Sequence, residues 1–439
     1  MENEQLNRKE EMAAAAVWYG SPSTEEEIKR GKEGSGFQLR GGLPYTQNKI
    51  RLKRPVRIAF LGGSITEGAG ASQAEDTSWR ALTGQYLSER LGGEMVSCVN
   101  AGVGGTNSVF GAHRLYEHVL SQRPIDLLFV EFSVNDGNDQ LEQAESIRGM
   151  EGIVRQMKRL SPQTDLCFVY TASERNLSSE MPKYIAVHEH VAEHYHLSSV
   201  NFARKVYDLL QEEDTEWTDL APDTYHPNDA GHALYAEYMK EYLDRALFGE
   251  STIGDVKEEE AVPEPIEESN YEYAGTRSVS NWEEGRGHLP ARREEGGRNA
   301  STSDVLVLPI PRIRLISRTG WKRSKLEANE PLMNWRYDTE HLFTEQEDAD
   351  LTFEAWGQSA GVTMLYGPDS GIFEFSINGG TFVEVNLFDE WCPLAYRPVS
   401  VLFPIQTERG PMTITLRNTG RRDQRSRGTR LMILRLLVN

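Results

Sequence analysis

Residues 56–66 read VRIAFLGGSIT. A nearly continuous apolar run that stops at paired glycines predicts a strand buried on both faces and a sharp turn at its carboxyl end. The same grammar continues outward from it. Ser78–Leu91 has helical spacing, Met95–Asn100 is strand-like, and Phe110–Leu120 is helical. Asp126–Phe132 (DLLFVEF) is a second apolar strand, followed by an amphipathic helix over Leu141–Leu160 and a strand over Asp165–Ala172. A helix over Met181–His196, a short strand over Ser198–Phe202 and a helix over Asn228–Leu247 close the region. Alternating strands and helices predict an α/β domain over 56–249, a doubly wound parallel sheet with helices on both faces. Ligands of such a sheet bind beyond the carboxyl ends of its strands.

The pattern changes after Gly249. Glu258-Glu259-Glu260 and Glu267-Glu268 stand among prolines without periodicity, which predicts an acidic linker over 250–269. Residues 270–439 then read as a smaller all-β sandwich, jelly-roll-like, with a mobile Gly/Arg/Glu-rich segment at 283–303. Its strands are expected at Val305–Ile310, Leu351–Trp356, Gly361–Tyr366, Gly371–Ile377, Phe382–Leu387, Met412–Arg417 and Leu431–Val438. Residues 1–55 form an N-terminal extension that can give an edge strand or helix to either domain.

A formal charge of −20 repels phosphate backbones and anionic lipid surfaces, so neither nucleic acid nor membrane is expected as a partner. No apolar window is long enough to span a bilayer. The N-terminal MENEQLNRKEEM lacks the apolar stretch of a signal peptide, and a cytoplasmic location is expected. Cys98, Cys167 and Cys392 are few and far apart, which implies no disulfide framework. Cys98 and Cys167 lie in strand-like runs and are expected to be buried and inert.

Four clusters fall at strand ends. Ser64 follows the first strand in Gly62-Gly63-Ser64-Ile65-Thr66, and is not the G-x-S-x-G elbow, because Thr66 stands at the second glycine position. Asn100-Ala101-Gly102-Val103-Gly104-Gly105-Thr106 can free backbone N–H groups for an anion. Asn135, in Ser133-Val134-Asn135-Asp136, can donate a side-chain amide to an oxyanion. Asp223, in Asp223-Thr224-Tyr225-His226-Pro227-Asn228, can hold the His226 ring in one tautomer. Taken singly, these are ordinary turns or, at Asn228, a helix cap.

In this order the four blocks resemble the SGNH hydrolases, also called GDSL-like esterases, over about Arg57–Gly249. The resemblance implies a flavodoxin-like three-layer fold and a serine esterase. It implies Ser64 as nucleophile, Asp223 and His226 as the other triad members, and an oxyanion hole of the Ser64 N–H, the Gly105 N–H and the Asn135 amide. Gly63 stands where the family usually has aspartate, and Ser133 where it has the glycine of GxND. Together with Arg40-Gly41-Gly42-Leu43-Pro44, the GGSIT block resembles a bacterial subgroup of carbohydrate esterases that often carry a C-terminal β-sandwich.

The expected substrate is therefore an ester of a small molecule or oligosaccharide, with acetyl as the acyl group and no metal or organic cofactor. Lipase, thioesterase or arylesterase activity is the alternative within the class, and a non-catalytic carbohydrate-binding protein the alternative outside it. Homo-oligomerisation is left open. His190, Glu193 and His194 match a reversed zinc-protease motif, but on a polar helix away from the four blocks. Trp321, Trp335, Trp356, Tyr366, Trp391 and Tyr396 are expected mostly in the sandwich core, with a sugar-stacking platform as the other reading.

Overall fold

The computed structural model describes residues 36–212, 214–249, 261–279, 313–332 and 339–439. The expected strand Val305–Ile310, segment 283–303, Trp335, residues 1–35 and the acidic stretch 250–260 lie outside them. The α/β part runs β1 (Phe37–Gln38), α1 (Pro44–Arg51), β2 (Val56–Gly62), α2 (Ser64–Glu67), α3 (Trp79–Leu91), β3 (Val96–Gly102), α4 (Ser108–His118), β4 (Leu127–Glu131) and α5 (Ser133–Asn138). It continues with α6 (Gln143–Leu160), β5 (Asp165–Tyr170), α7 (Lys183–His194), β6 (Ser198–Asn201), α8 (Phe202–Leu209), α9 (Trp217–Leu220) and α10 (Asp229–Leu243).

The sheet order is β1-β6-β5-β4-β2-β3. All neighbours are parallel except β1, which pairs antiparallel with β6 through Phe37↔Val200. The N-terminal segment thus contributes both an edge strand and the helix α1. β2 lies between β3 and β4, so the chain leaves it first to one side and then to the other. That reversal opens a crevice at the carboxyl end of β2.

One helix layer packs α4, α6 and α7 against each other, and the opposite layer contains α3 and α10. Burial on both faces explains why β2, β4 and β5 read as apolar runs. Trp79 on α3 anchors its layer edge-on to Phe60, with centroids 5.4 Å apart, and to Phe202 at 5.7 Å. Ser78, Asn107 and Asn228 cap α3, α4 and α10 through their side chains. Cys167 is buried as expected, whereas Cys98 is exposed, because β3 is the edge strand of the sheet.

The second part is all antiparallel. One sheet runs β15 (Arg397–Leu402), β12 (Ala360–Tyr366), β17 (Leu431–Val438), β10 (His341–Thr344) and β9 (Lys322–Ser324), with β7 (Gly275–Ser278) also on β17. The other runs β14 (Val383–Asn386), β13 (Gly371–Ile377), β16 (Gly410–Arg422), β11 (Asp350–Gly357) and β8 (Ile313–Thr319). Phe353, Phe373, Ile414, Val362 and Ile433 meet between them. Trp321, Tyr366 and Tyr396 are buried, Trp391 is half-buried, and Trp356 is exposed.

β17 is buried along its whole length. Leu431, Ile433, Leu436 and Val438 face the sandwich core, while Met432, Leu434 and Leu437 join Val103 and Phe110 of the α/β part in a third cluster. The register shift opposite Thr363/Met364 inserts one residue into β17. That bulge shifts the alternation, turning Leu436 and Val438 to the sandwich core and Leu437 to the other side, and both sides are apolar because every residue of β17 but Arg435 is. Arg435 at the bulge pairs with Glu117 on α4 at 2.6 Å. Residues before β7 run along α6, where Glu151 accepts the Ile266 and Glu267 N–H groups and Arg155 pairs with Glu272 at 2.7 Å.

Candidate active site

The five predicted positions lie around the crevice, Ser64 and Asn135 in short helices and Gly105, Asp223 and His226 in loops, and the parallel sheet explains their convergence. Ser64 starts α2 directly after β2, Gly105 follows β3, and Asn135 follows β4. His226 and Asp223 precede α10, whose cap Asn228 fixes where that loop ends.

Ser64 Oγ lies 2.8 Å from His226 Nε2. His226 Nδ1 lies 2.8 Å from Asp223 Oδ2. The other carboxylate oxygen of Asp223 accepts the N–H groups of Tyr225 at 2.9 Å and His226 at 2.7 Å. Burial alone would raise the Asp223 carboxyl. The backbone donors of His226 and Tyr225 and the imidazole ring outweigh it and hold the group below the usual carboxylate range. Gly70 lets the loop after α2 approach this segment, since its φ is +90° and a side chain there would lie 2.1 Å from the Pro227 carbonyl oxygen.

The Asn135 amide rests against Gly63, where any side chain would collide with Oδ1 at 2.0 Å. A residue without a side chain at position 63 therefore leaves the Asn135 amide in place. Gly105 has φ +72°, the left-handed region that glycine enters without strain. Asp136 ties the loops together: it is fully buried and accepts from Ser108 N at 2.9 Å, Ser108 Oγ at 2.7 Å and Ser146 Oγ at 2.6 Å, with His188 Nε2 at 2.9 Å.

Three further residues border the site that motif reading does not single out. Glu67 accepts the Gly104 N–H at 2.8 Å, which anchors the glycine loop to α2. Glu131 ends β4 beneath the serine turn and accepts from Thr66 Oγ1 and Thr171 Oγ1, each at 3.0 Å. Its only sequence signal is a carboxylate inside the apolar run DLLFVEF, where burial demands partners. Arg397 comes from the sandwich. Its Cδ lies 3.8 Å from where a Gly105 side chain would begin, its guanidinium pairs with Asp389, and its Nε has no hydrogen-bond partner among the described residues. A contact across nearly 300 residues of sequence leaves no local trace.

The zinc-protease-like residues lie elsewhere. His194 Nε2 approaches the Glu264 carbonyl at 2.8 Å, and Glu193 lies 3.7 Å from Arg40. Among the described residues, no group of three His, Cys, Asp or Glu side chains is arranged to hold a metal, and no helix is long and apolar enough to cross a membrane.

Residues 60–234 match the GDSL-like lipase/acylhydrolase family. No curated protein matches the chain. Among solved structures, a two-domain esterase (CEX) active on acetylated mannans, crystallised with mannopentaose, is similar at 21% identity and TM-score 0.71, covering 93% of this chain and 97% of its own. Axe2, an acetylxylan esterase from Geobacillus stearothermophilus, is similar at 21% identity and TM-score 0.38, covering 43% of this chain and 94% of its own. At this identity, the likeness to the two-domain esterase is one of fold, over both the α/β and the all-β parts.

Proposed function

We propose that the chain is a serine esterase that removes acetyl groups from carbohydrate through an acyl-serine intermediate, in keeping with the match of residues 60–234 to the GDSL-like lipase/acylhydrolase family. The observation that carries this reading is the continuous line from Ser64 through His226 to Asp223, two contacts of 2.8 Å at the switch point of the sheet.

A serine hydroxyl is a weak nucleophile until a base takes its proton. In the proposed reaction His226 Nε2 accepts that proton while Ser64 Oγ bonds to the ester carbonyl carbon. Asp223 keeps the proton of Nδ1 in place and stabilises the imidazolium. The carbonyl oxygen becomes an oxyanion held by the Ser64 N–H, the Gly105 N–H and the Asn135 amide. The bond from the acyl carbon to the sugar oxygen then breaks, and His226 returns the proton to the leaving alcohol. Water, deprotonated by the same ring, releases acetate and restores Ser64. None of these steps calls on a metal or an organic cofactor.

Support for carbohydrate as the alcohol is twofold. The whole-chain fold resembles that of an esterase active on acetylated mannans. The sandwich also sets Arg397 beside Gly105, so a second domain borders the site where a bulky alcohol would lie.

The test is acetate release from acetylated manno- and xylo-oligosaccharides, alongside p-nitrophenyl esters from acetate to long chains, with Ser64→Ala in parallel. Serine-dependent release confined to short acyl groups and extending to an oligosaccharide upholds the proposal. Preference for long chains moves the activity to lipid esters, and turnover by Ser64→Ala removes the mechanism.

A further inference from the structure

Beneath the serine turn sits an acid that the proposed mechanism does not use. Glu131 is 1% exposed, and its partners Thr66 and Thr171 are 1% and 0% exposed. Its carboxylate accepts from the Thr66 hydroxyl at 3.0 Å, from the Thr171 hydroxyl at 3.0 Å and from the Gly63 N–H. Gly63 immediately precedes Ser64, and Thr66 lies two residues beyond it. One carboxylate therefore grips the nucleophile turn from both sides and ties it, through Thr171, to the end of β5.

We propose that Glu131 is a positioning residue for Ser64, which holds the nucleophile turn in register only while its carboxyl is ionised. This rests on Ser64 being the nucleophile. All three donors need an acceptor, and a carboxylate serves them fully. A protonated carboxyl carries its own O–H and brings a fourth donor into a sealed site, so one of the three contacts must reverse or yield, and the network that holds the turn is rearranged. Because the turn carries Ser64, the consequence falls on the angle and distance at which its hydroxyl meets His226. A misplacement of this kind affects turnover more than ground-state binding.

The site is poised to titrate near neutrality. Burial raises the Glu131 carboxyl, and the Thr66, Thr171 and Gly63 donors offset that only in part, leaving it at about 7. The charged and titratable groups around it come from every neighbouring element. Asp136 on α5 adds to the rise. Tyr235 on α10 is held protonated by burial, with its hydroxyl 3.2 Å from the Ala172 N–H. Arg80 on α3 donates to the Thr66 carbonyl at 3.3 Å, and Arg114 on α4 to the Gly62 carbonyl at 2.8 Å. Glu67 on α2 is engaged with the Gly104 N–H, and His226 meets the turn at Ser64. The two arginines brace the same turn from the outside by backbone contacts, which leaves Glu131 as the acid that holds it from within.

The experiment is the pH dependence of kcat/KM on p-nitrophenyl acetate for wild type, Glu131→Gln and Thr171→Val. Two groups must lose a proton for wild-type activity, Glu131 and His226. The acid limb of log kcat/KM therefore approaches a slope of two, and Glu131→Gln approaches a slope of one. Glu131→Gln also lowers kcat by roughly 10- to 100-fold with KM within about twofold, because a neutral amide cannot accept from all three donors. Thr171→Val touches neither Ser64 nor its turn. Removing one donor to the carboxylate moves the wild-type acid limb to higher pH, and this arm decides the matter if Glu131→Gln does not fold. A wild-type limb of slope one, or a Thr171→Val limb that stays in place, overturns the proposal. Ser64→Ala, assayed in parallel, reports separately on the nucleophile: activity in that variant would defeat the mechanism itself, whatever the slopes.

Discussion

Asp223 holds His226 twice, by ring and by backbone: one carboxylate oxygen lies 2.8 Å from Nδ1, and the other accepts the His226 N–H at 2.7 Å. The three-residue spacing allows this, because a turn that brings the side chain of Asp223 to the ring also aims the intervening amides at it. The carboxylate is thereby kept ionised below the pH at which an imidazole loses its proton. In Asp223→Asn the amide can donate to Nδ1 and stabilise the wrong tautomer. The expected result is a loss of about 10³- to 10⁴-fold in kcat with an unchanged far-ultraviolet spectrum. A loss of less than tenfold would show that the ring does not depend on this acid.

Gly63 and Asn135 form one unit. A methyl group at position 63 would drive into the Asn135 amide. If Asn135 is the oxyanion donor proposed above, Gly63→Ala displaces the amide that Asn135→Ala removes, and each is expected to lower kcat by about 10²- to 10³-fold with KM little changed. The double variant should be scarcely worse than either single one. Multiplicative losses would mean that position 63 acts on catalysis by some other route.

The third apolar cluster joins the two parts of the molecule, with Phe110 of α4 packed among Met432, Leu434 and Leu437 of β17. Phe110→Ala should cost about 3–5 kcal/mol by leaving a cavity there. Because the cluster spans both parts, urea unfolding followed by tryptophan fluorescence should show the whole transition moving to lower denaturant. An unmoved midpoint would contradict the packing described.

Stability should carry a pH signature from Asp165. Burial pushes this carboxyl up to about 7, even though it accepts the Thr46 N–H at 2.7 Å. Its folded value is above its unfolded value, so the folded state binds more protons between the two. The contribution is fully present below the unfolded value of about 4 and is lost as pH rises through about 7. Buried His113 and His232, each held down to about 4, act in the opposite sense, since the unfolded state binds the extra protons. The clean readout is a difference: Asp165→Asn should gain stability relative to wild type between pH 4.5 and 8. Parallel stability curves for the two proteins would exclude the effect.

Much of the fold was legible because its signals are local. The runs at Val56–Gly62, Leu127–Glu131 and Asp165–Tyr170 are apolar because each strand is covered twice, and their order with intervening helices requires a parallel sheet. The candidate site was legible from placement, since each of its clusters lies beyond a strand end or ahead of α10. Five sandwich strands escaped for physical reasons. β7 and β10 have only four residues each, β8 reads IRLISRT, whose alternation is broken by a bulge that leaves Ile316 exposed, β9 has only three residues, all exposed, and β15 carries Pro398 at an edge. Residues whose role depends on distant chain left no pattern at all. Arg397 sits beside Gly105 only because β17 is apolar on both faces and docks the sandwich against α4.

The central claim is that Ser64 is the nucleophile, and covalent capture tests it most directly. A serine-directed phosphonate should modify the wild-type protein once per chain, at the peptide containing Ser64, with esterase activity falling in step with modification. Ser64→Ala should remain unlabelled. Modification at another residue, or full activity in fully modified protein, would contradict the account.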